Sequence, residues 1–175
     1  MNFLAHIYLS GENDQIKIGN FIADGIHGKN FDEFPIDVQK GIRLHREIDS
    51  YTDFHPIFRQ SKHRLHERYG HYSGVIMDIF YDHFLAKNFS NYSNQLLTDF
   101  SDDFYKLLDD NFSILTPRFQ NILPVLKNEN WLVMYASIEG ISHILYNMDR
   151  RTKLRSKMQF SVEELHLFYS EFEIE

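Results

Sequence analysis

The stretch SGVIMDIFYDHFLA, from Ser73 to Ala86, is apolar around the whole circumference of the helix that it predicts. A helix without a polar face belongs in the interior of a protein. Asp78 and Asp82 nevertheless lie four residues apart in it, on the same side of the helix, and His83 follows directly. Ionised carboxylates in an apolar interior need a positive partner, which is Arg, Lys or a metal ion. Because a histidine stands beside the aspartates, we predict that this helix supplies ligands to a metal-dependent hydrolytic site.

The composition limits the kind of protein and the kind of metal site. The chain has 175 residues, of which 43% are hydrophobic, and a formal net charge of −7. This length predicts one domain over residues 1–175. The lack of cysteine excludes disulfides and thiolate metal sites, so any metal ion must be held by His, Asp, Glu, Asn or water. The negative charge argues against a general nucleic-acid binder.

The N-terminal sequence MNFLAHIYLS has no basic leader, and His6 interrupts its apolar run. It is therefore neither a secretory signal nor a membrane span, and we expect a cytoplasmic protein with no membrane association.

The rest of the chain has the apolar spacing of helices and lacks alternating strands separated by turn signals. Besides the central helix, helices are predicted over residues 2–9, 15–26, 35–52, 93–110, 117–127, 131–148 and 161–174, with a basic amphipathic segment over 54–69. Gly140 is a candidate break in the helix over 131–148. These patterns predict an all-α, single-domain helical bundle.

Four pairs of possible ligands lie four residues apart in the first half of the chain: Asn2/His6, Asn20/Asp24, His45/Asp49 and Asp78/Asp82. Such pairs project side by side, so neighbouring helices of a bundle can assemble them into a compact metal site. Mixed carboxylate and imidazole ligands suit Mn²⁺, Mg²⁺, Fe²⁺ or Zn²⁺. The alternative for any single pair is a cap, a salt bridge or a solvated face. For the central pair, the alternative is a buried network in which Arg43 or Arg46 binds the aspartates.

Positive charge is concentrated in the run DRRTKLRSKM, residues 149–158, where five basic residues accompany one acidic residue. In a protein with negative net charge, this segregation indicates an acidic or phosphorylated partner. The alternative is an ordinary solvated helix face.

Several segments together resemble the acyl carrier protein phosphodiesterases. These segments are NFLAHIYLS, GNFIADGIHG, GIRLHREIDSYTD, DIFYDHFLAKNF and WLVMYAS…NMDRRTKLRSKM. The resemblance covers most of the chain in order and is weaker between Ser90 and Asn130. It implies an all-α fold distantly similar to the HD-domain phosphohydrolases and dependence on Mn²⁺, with Mg²⁺ or Fe²⁺ as alternatives. It also implies hydrolysis of the phosphodiester that joins 4′-phosphopantetheine to a serine of holo acyl carrier protein.

The resemblance also implies roles for individual residues. The residues that match the family's polar motifs are Asp24, His45, Asp49, Asp78, Asp82 and His83, and His6 lies in its N-terminal motif. The order Asp82–His83 reverses the His–Asp order that names the HD group.

We predict the following metal ligands: Asp24, His45, Asp82 and His83, with His6 as a further candidate. Asp49 or Asp78 is expected to orient ligands or the attacking water, while Arg43 or Arg46 holds a phosphate oxygen. The catalytic group predicted in this way is Asp24, His45, Asp49, Asp78 and Arg46.

The basic run is the expected docking surface for acyl carrier protein, which resembles a small acidic helical bundle. Its predicted partner-binding residues are Arg150, Arg151, Lys153 and Arg155. Two other functions stay open at this point: a phosphohydrolase that uses the same site on a nucleotide or another small phosphoester, and a non-enzymatic helical binding module in which arginines neutralise the buried aspartates.

Overall fold

The structure is a computed structural model that describes residues 3–28 and 31–175, and throughout these residues the regular elements are helical. The α-helices are α1 (Phe3–Leu9), α2 (Asp14–Ile22), α3 (Ile36–Phe54), α4 (Pro56–Tyr69), α5 (Ser73–Lys87), α6 (Leu97–Asp110), α7 (Pro117–Asn128), α8 (Trp131–Met134), α9 (Ile138–Arg151), α10 (Val162–Leu167) and α11 (Tyr169–Ile174). The all-α prediction is confirmed. Asn2, the first residue of one predicted ligand pair, lies outside the described residues.

Helix α5 runs through the interior, as its sequence predicts. Ile76, Met77, Ile79 and Phe80 are completely buried, and the helix contacts α1, α4, α9 and α11. The buried apolar side chains of the described residues form one cluster around it. The prediction of one domain over residues 1–175 stays a prediction.

Helices α2 and α3 pack with their backbones in close approach because each contributes a glycine to the contact. A Cβ atom on Gly19 would lie 2.1 Å from the carbonyl oxygen of Val38, and one on Gly41 would lie 2.2 Å from that of Ile16. No side chain fits at either position. This approach brings the polar residues of α2 against those of α3.

Several predicted helices are shortened or interrupted, among them the helix over 161–174, which is divided at Phe168 into α10 and α11. Helix α2 ends at Ile22, and a 3₁₀ turn over Ala23–Gly25 follows it. The predicted helix over 131–148 is interrupted before α9, where the Ser137 side chain caps the new helix by accepting a hydrogen bond from the Gly140 amide at 3.0 Å. Gly140 therefore lies inside α9. A Cβ atom there would stand 2.0 Å from the carbonyl oxygen of Met134, so this glycine serves close packing and does not break the helix.

None of the helices in the described part of the chain combines the length and the apolar character needed to cross a lipid bilayer.

Candidate metal centre

Three side chains from two helices converge on one point. His6 comes from α1, while His45 and Asp49 lie one turn apart on α3. One ligand atom from each lies within 4.8 Å of the others. His6 Nε2 is 3.2 Å from Asp49 Oδ1, and His45 Nε2 is 3.3 Å from Asp49 Oδ2. The two imidazole rings are stacked, with centroids 4.0 Å apart and planes inclined by 21°, and both Nε2 atoms face the carboxylate of Asp49.

Asp24 adds a second carboxylate to the cluster. It lies in the 3₁₀ turn after α2, and its Oδ1 is 3.5 Å from His45 Nε2. Asp24, His45 and Asp49 line one cleft together with Asp78, and the cleft has a volume of about 440 Å³. The structure thus brings together five of the residues that the sequence predicted for the site, since His6 contacts Asp49 in the same cluster.

The cluster is compatible with a divalent metal ion. His6 is 2% exposed, and its Nε2 is fully buried without a hydrogen-bond partner among the described residues, although Asp49 lies within ion-pair distance. An unsatisfied ring nitrogen beside carboxylates is costly without a ligand. Imidazole nitrogens and carboxylate oxygens are ligands for Mn²⁺, Mg²⁺, Fe²⁺ and Zn²⁺. The residues present therefore fit such an ion.

The charges in the cluster depend on one another. Burial alone lowers the pKa of His45, but its hydrogen bonds with Asp24 and Asp49 outweigh burial and raise this pKa to about 9. Burial likewise opposes ionisation of both aspartates, yet the hydrogen bonds and charge of His45 hold the pKa of each below its ordinary value. In the ion-free protein, a proton on His45 therefore carries positive charge where a metal ion would otherwise do so.

Asp78 is the carboxyl group of the cleft with the opposite behaviour. Burial raises its pKa to about 6, and the neighbouring carboxylates Asp49, Asp53 and Asp24 raise it further. A carboxyl group with a pKa near neutrality can gain and lose a proton during a reaction at physiological pH.

Asp82 lies on the same side of α5 as Asp78, but its carboxylate binds the backbone of α1. It is completely buried, and its two oxygens accept hydrogen bonds from the backbone amides of Leu4 at 3.0 Å and Ala5 at 2.9 Å. Burial raises its pKa to about 7 against the effect of these bonds. Asp82 therefore holds the start of the helix that carries His6, and the structure does not bring it into the ligand cluster.

His83 leaves α5 in another direction. Its Nδ1 donates to the carbonyl oxygen of Tyr135 at 2.7 Å, and its Nε2 accepts from the hydroxyl of Tyr169 at 2.9 Å. Successive residues of a helix are rotated by about 100°, so a residue next to Asp82 cannot share its face. The prediction of His83 as a ligand receives no support from this geometry, since both ring nitrogens bind protein atoms.

The predicted phosphate-binding arginines are also engaged elsewhere. Arg46 donates to the carbonyl oxygen of Gly28 at 2.7 Å, and Arg43 donates to Gln39 at 3.2 Å. Both guanidinium groups lie over the ring of Phe31. They contact the segment before α3, and their hydrogen bonds with Gly28 and Gln39 do not reach the aspartates of α5.

The basic run forms the end of α9 and the turn after it. Its four predicted partner-binding side chains are exposed: Arg150, Arg151, Lys153 and Arg155. Buried Asp149 organises the turn by accepting hydrogen bonds from the Ser156 hydroxyl at 2.6 Å and the Lys157 amide at 3.0 Å.

Arg118, at the start of α7, joins this basic surface to the cluster, and the sequence alone gave no signal for it. Its guanidinium donates to the carbonyl oxygen of Asp24 at 3.1 Å. Arg150 and Arg151 line one pocket together with Val125 of α7, the helix on which Arg118 lies. Burial, followed by the positive charge of Arg118, lowers the pKa of Arg151. The basic surface therefore adjoins the Asp24 edge of the cleft.

Comparisons with known proteins agree with the resemblance of the motifs. The family model described as acyl carrier protein phosphodiesterase matches residues 1–175. A relative from Photorhabdus laumondii is 31% identical over 174 residues, which cover 99% of this chain and 88% of the relative. Relatives from Pectobacterium atrosepticum (31% identical over 179 residues, 99% of this chain and 91% of the relative) and Yersinia pestis (33% over 156 residues, 88% and 81%) carry the same name, acyl carrier protein phosphodiesterase.

No solved structure matches the chain. The match over the full length and the identity to these relatives show that the chain belongs to the acyl carrier protein phosphodiesterase family.

Proposed function

We propose that this protein hydrolyses the phosphodiester between 4′-phosphopantetheine and a serine of holo acyl carrier protein, with a divalent metal ion, expected to be Mn²⁺, held by His6, His45, Asp49 and Asp24. The observation that carries the proposal is the convergence of two imidazole nitrogens and a carboxylate within 4.8 Å, in a chain that belongs to this phosphodiesterase family.

The ligand set in this proposal differs from the one expected from the sequence. Asp49, which was expected only to orient ligands or water, joins the predicted ligands Asp24, His45 and His6, because its two carboxylate oxygens lie 3.2 Å and 3.3 Å from the Nε2 atoms of the two histidines. Asp82 is left out because backbone amides of α1 already bind both of its oxygens. His83 is left out because the Tyr135 carbonyl oxygen and the Tyr169 hydroxyl already bind its two ring nitrogens.

The four ligand side chains and Asp78 have distinct parts in the proposed reaction. When bound, a divalent ion supplies a Lewis acid and lowers the pKa of a coordinated water. His6 and His45 offer their Nε2 atoms to the ion, and Asp24 and Asp49 balance its charge. Asp78 lines the same cleft with a pKa of about 6, so its carboxylate accepts the proton of the attacking water and returns it to the departing serine oxygen.

Lys62, which lines the same cleft, provides positive charge for the phosphate group in this proposal. Lys62 is half-buried there, with its Nζ 3.8 Å from Asp53, and the exposed residues His66 and His71 lie on the same rim. A cation on the rim neutralises a non-bridging oxygen, which is the role predicted from the sequence for Arg43 or Arg46. Lys62 takes this role in the proposal because Arg46 binds the carbonyl oxygen of Gly28.

Acyl carrier protein docks, in this proposal, on the surface formed by Arg118, Arg150, Arg151, Lys153 and Arg155. Charge complementarity to an acidic helical partner steers the encounter and orients the complex. Because Arg118 binds the carbonyl oxygen of Asp24, a partner on this surface presents its modified serine at the edge of the metal cluster.

The experiment is an incubation of the protein with holo acyl carrier protein, followed by intact-mass measurement of the carrier. With Mn²⁺ we expect the carrier to lose the mass of the phosphopantetheine group, and with EDTA we expect no loss. The variant His45→Ala should be inactive, while His63→Ala, which changes an exposed histidine of α4, should be as active as wild type. A nucleotide panel runs in parallel. No release from the carrier by wild type, or hydrolysis of nucleotides alone, contradicts the proposal.

A further inference from the structure

We propose that Asn20 is a positioning residue that fixes the tautomer of both metal-binding histidines and thereby sets the affinity of the site for its ion. The inference rests on the proposed metal site and concerns a residue that binds neither the ion nor the substrate.

Asn20 lies on α2 directly behind the two imidazole rings and is 0% exposed. Its Oδ1 is 2.8 Å from His6 Nδ1 and 3.1 Å from His45 Nδ1. Its Nδ2 is 2.9 Å from the carbonyl oxygen of His6 and 2.9 Å from the hydroxyl of Ser10. One buried amide thus contacts both rings and the backbone of the helix that carries one of them.

The orientation of this amide follows from its partners. A backbone carbonyl oxygen only accepts hydrogen bonds, so the atom of Asn20 facing the His6 carbonyl must be the NH₂ group. The Ser10 hydroxyl donates to that same carbonyl at 2.8 Å, which leaves its oxygen free to accept from Asn20. The atom of Asn20 that faces the two rings is therefore its oxygen.

An amide oxygen cannot donate, so both histidines must carry a proton on Nδ1 to bond with it. The metal-binding lone pair is then confined to Nε2 in each ring. Both Nε2 atoms face Asp49, and that of His45 also faces Asp24. A hydrogen bond to the second ring nitrogen is the usual means by which a protein orients a metal-binding histidine, and here one oxygen does so for two of them.

The backbone packing explains why Asn20 can reach both rings. A Cβ atom on Gly41 would lie 2.7 Å from the backbone nitrogen of Asn20. Helix α2 therefore approaches α3 closely only because position 41 has no side chain. His45 lies one turn further along α3, next to the Asn20 side chain. The glycine and the asparagine therefore act together in placing the His45 ring.

The first test measures Mn²⁺ binding by calorimetry, with the metal alone and without substrate. Asn20→Leu removes the acceptor and should weaken binding by about 10- to 100-fold, which is typical for loss of such a partner. Asn20→Asp keeps an acceptor for both rings and should lose less than about tenfold. Ser10→Ala, the matched control, removes the other side-chain partner of Asn20 and should bind as wild type does. Wild-type affinity in Asn20→Leu, or equal losses in the Leu and Asp variants, overturns the proposal.

The second test reads the tautomer directly by NMR on ¹⁵N-histidine-labelled protein loaded with diamagnetic Zn²⁺. Wild type and Asn20→Asp should show slowly exchanging protons on Nδ1 of His6 and His45. A proton on Nε2 of either ring in wild type refutes the inference, even if Asn20→Leu fails to fold. Neither test depends on turnover. Failure of the carrier protein assay with normal Mn²⁺ binding would therefore count against the proposed function and not against the role of Asn20.

Discussion

His45 on α3 and His83 on α5 are both buried histidines, yet their surroundings give them opposite properties. The Nε2 of His45 faces the carboxylates of Asp24 and Asp49, and its pKa is raised to about 9. His83 donates from Nδ1 to a carbonyl oxygen and accepts at Nε2 from the hydroxyl of Tyr169, and burial lowers its pKa.

The comparison shows that burial alone does not distinguish a metal-binding histidine from a structural one. The deciding feature is the group opposite the second ring nitrogen. A neutral hydroxyl satisfies that nitrogen and leaves no place for an ion, whereas two carboxylates attract either a proton or a cation. Substitution of the two histidines and the pH dependence of the protein test this distinction.

The largest expected effect separates the two histidines by substitution. His45→Ala should reduce phosphopantetheine release by about a thousandfold or more, because metal-ion stabilisation of charge contributes several kcal/mol. His83→Leu should retain activity within about tenfold but lose roughly 1–3 kcal/mol of stability, because it leaves the Tyr135 carbonyl unsatisfied. Activity per folded molecule and thermal unfolding measure the two effects. Loss of activity in a folded His83→Leu protein, with His45→Ala active, would reverse the assignment.

The next effect concerns Asp78, a carboxyl group of the cleft that is not among the proposed ligands. Asp78→Asn should lower kcat by about 10²- to 10⁴-fold, the usual contribution of a general acid–base group. Its affinity for Mn²⁺ should stay near that of wild type, because the four proposed ligands remain. Steady-state kinetics and calorimetry on the same preparation check this prediction. An equal loss of metal affinity would instead make Asp78 a ligand.

The raised pKa of His45 predicts opposite pH dependences for the two forms of the protein. Because the folded-state pKa of about 9 lies above the ordinary value, the imidazolium stabilises the ion-free fold fully below about pH 6.5, and this stability is lost as the pH rises through 9. Metal binding must displace that proton, so the affinity for Mn²⁺ should rise by about tenfold per pH unit between 7 and 9.

Thermal melts with and without Mn²⁺ over this range measure both trends. The melting temperature of the ion-free protein should fall with pH, while the stabilisation by Mn²⁺ should grow. His83→Leu should show the same dependence as wild type. Metal affinity that is constant from pH 7 to 9 would show that no proton leaves the site.

The smallest effect concerns the docking surface. Combined charge reversal at Arg150, Arg151 and Arg155 should raise KM for acyl carrier protein by about tenfold with little change in kcat, because exposed charges act mainly on association. The wild-type KM should rise with salt in the same way. Arg59→Glu, which reverses the charge of an exposed side chain on α4, serves as the control. A salt-independent KM would contradict electrostatic docking.

Much of the fold could be predicted from the sequence because hydrophobic periodicity determines which faces are buried. Helix α5 has apolar residues on all sides and is the central helix, and α3 follows its predicted range within two residues at its C-terminal end. The helix breaks were less predictable. Gly140 looks like a helix terminator in isolation, but its absent side chain accommodates the Met134 carbonyl, a contact that only the tertiary structure reveals.

The candidate site was predictable in part for a similar reason. The spacing of His45 and Asp49 placed both on one face of α3, and the structure brings both to the cluster. His83 looked equally suitable because it adjoins Asp82, but adjacent residues leave a helix in different directions. The roles of Asn20 and Arg118 depend on contacts between α2 and α1, and between α7 and the turn at Asp24, which spacing along one helix cannot predict.

Diffraction from crystals grown with Mn²⁺, with data collected at the manganese absorption edge, tests the position of the metal site most directly. We predict an anomalous peak bonded to Nε2 of His6 and of His45 and to a carboxylate oxygen of Asp49. A peak beside His83, or a fully occupied ion bonded to neither His6 nor His45, would contradict this assignment.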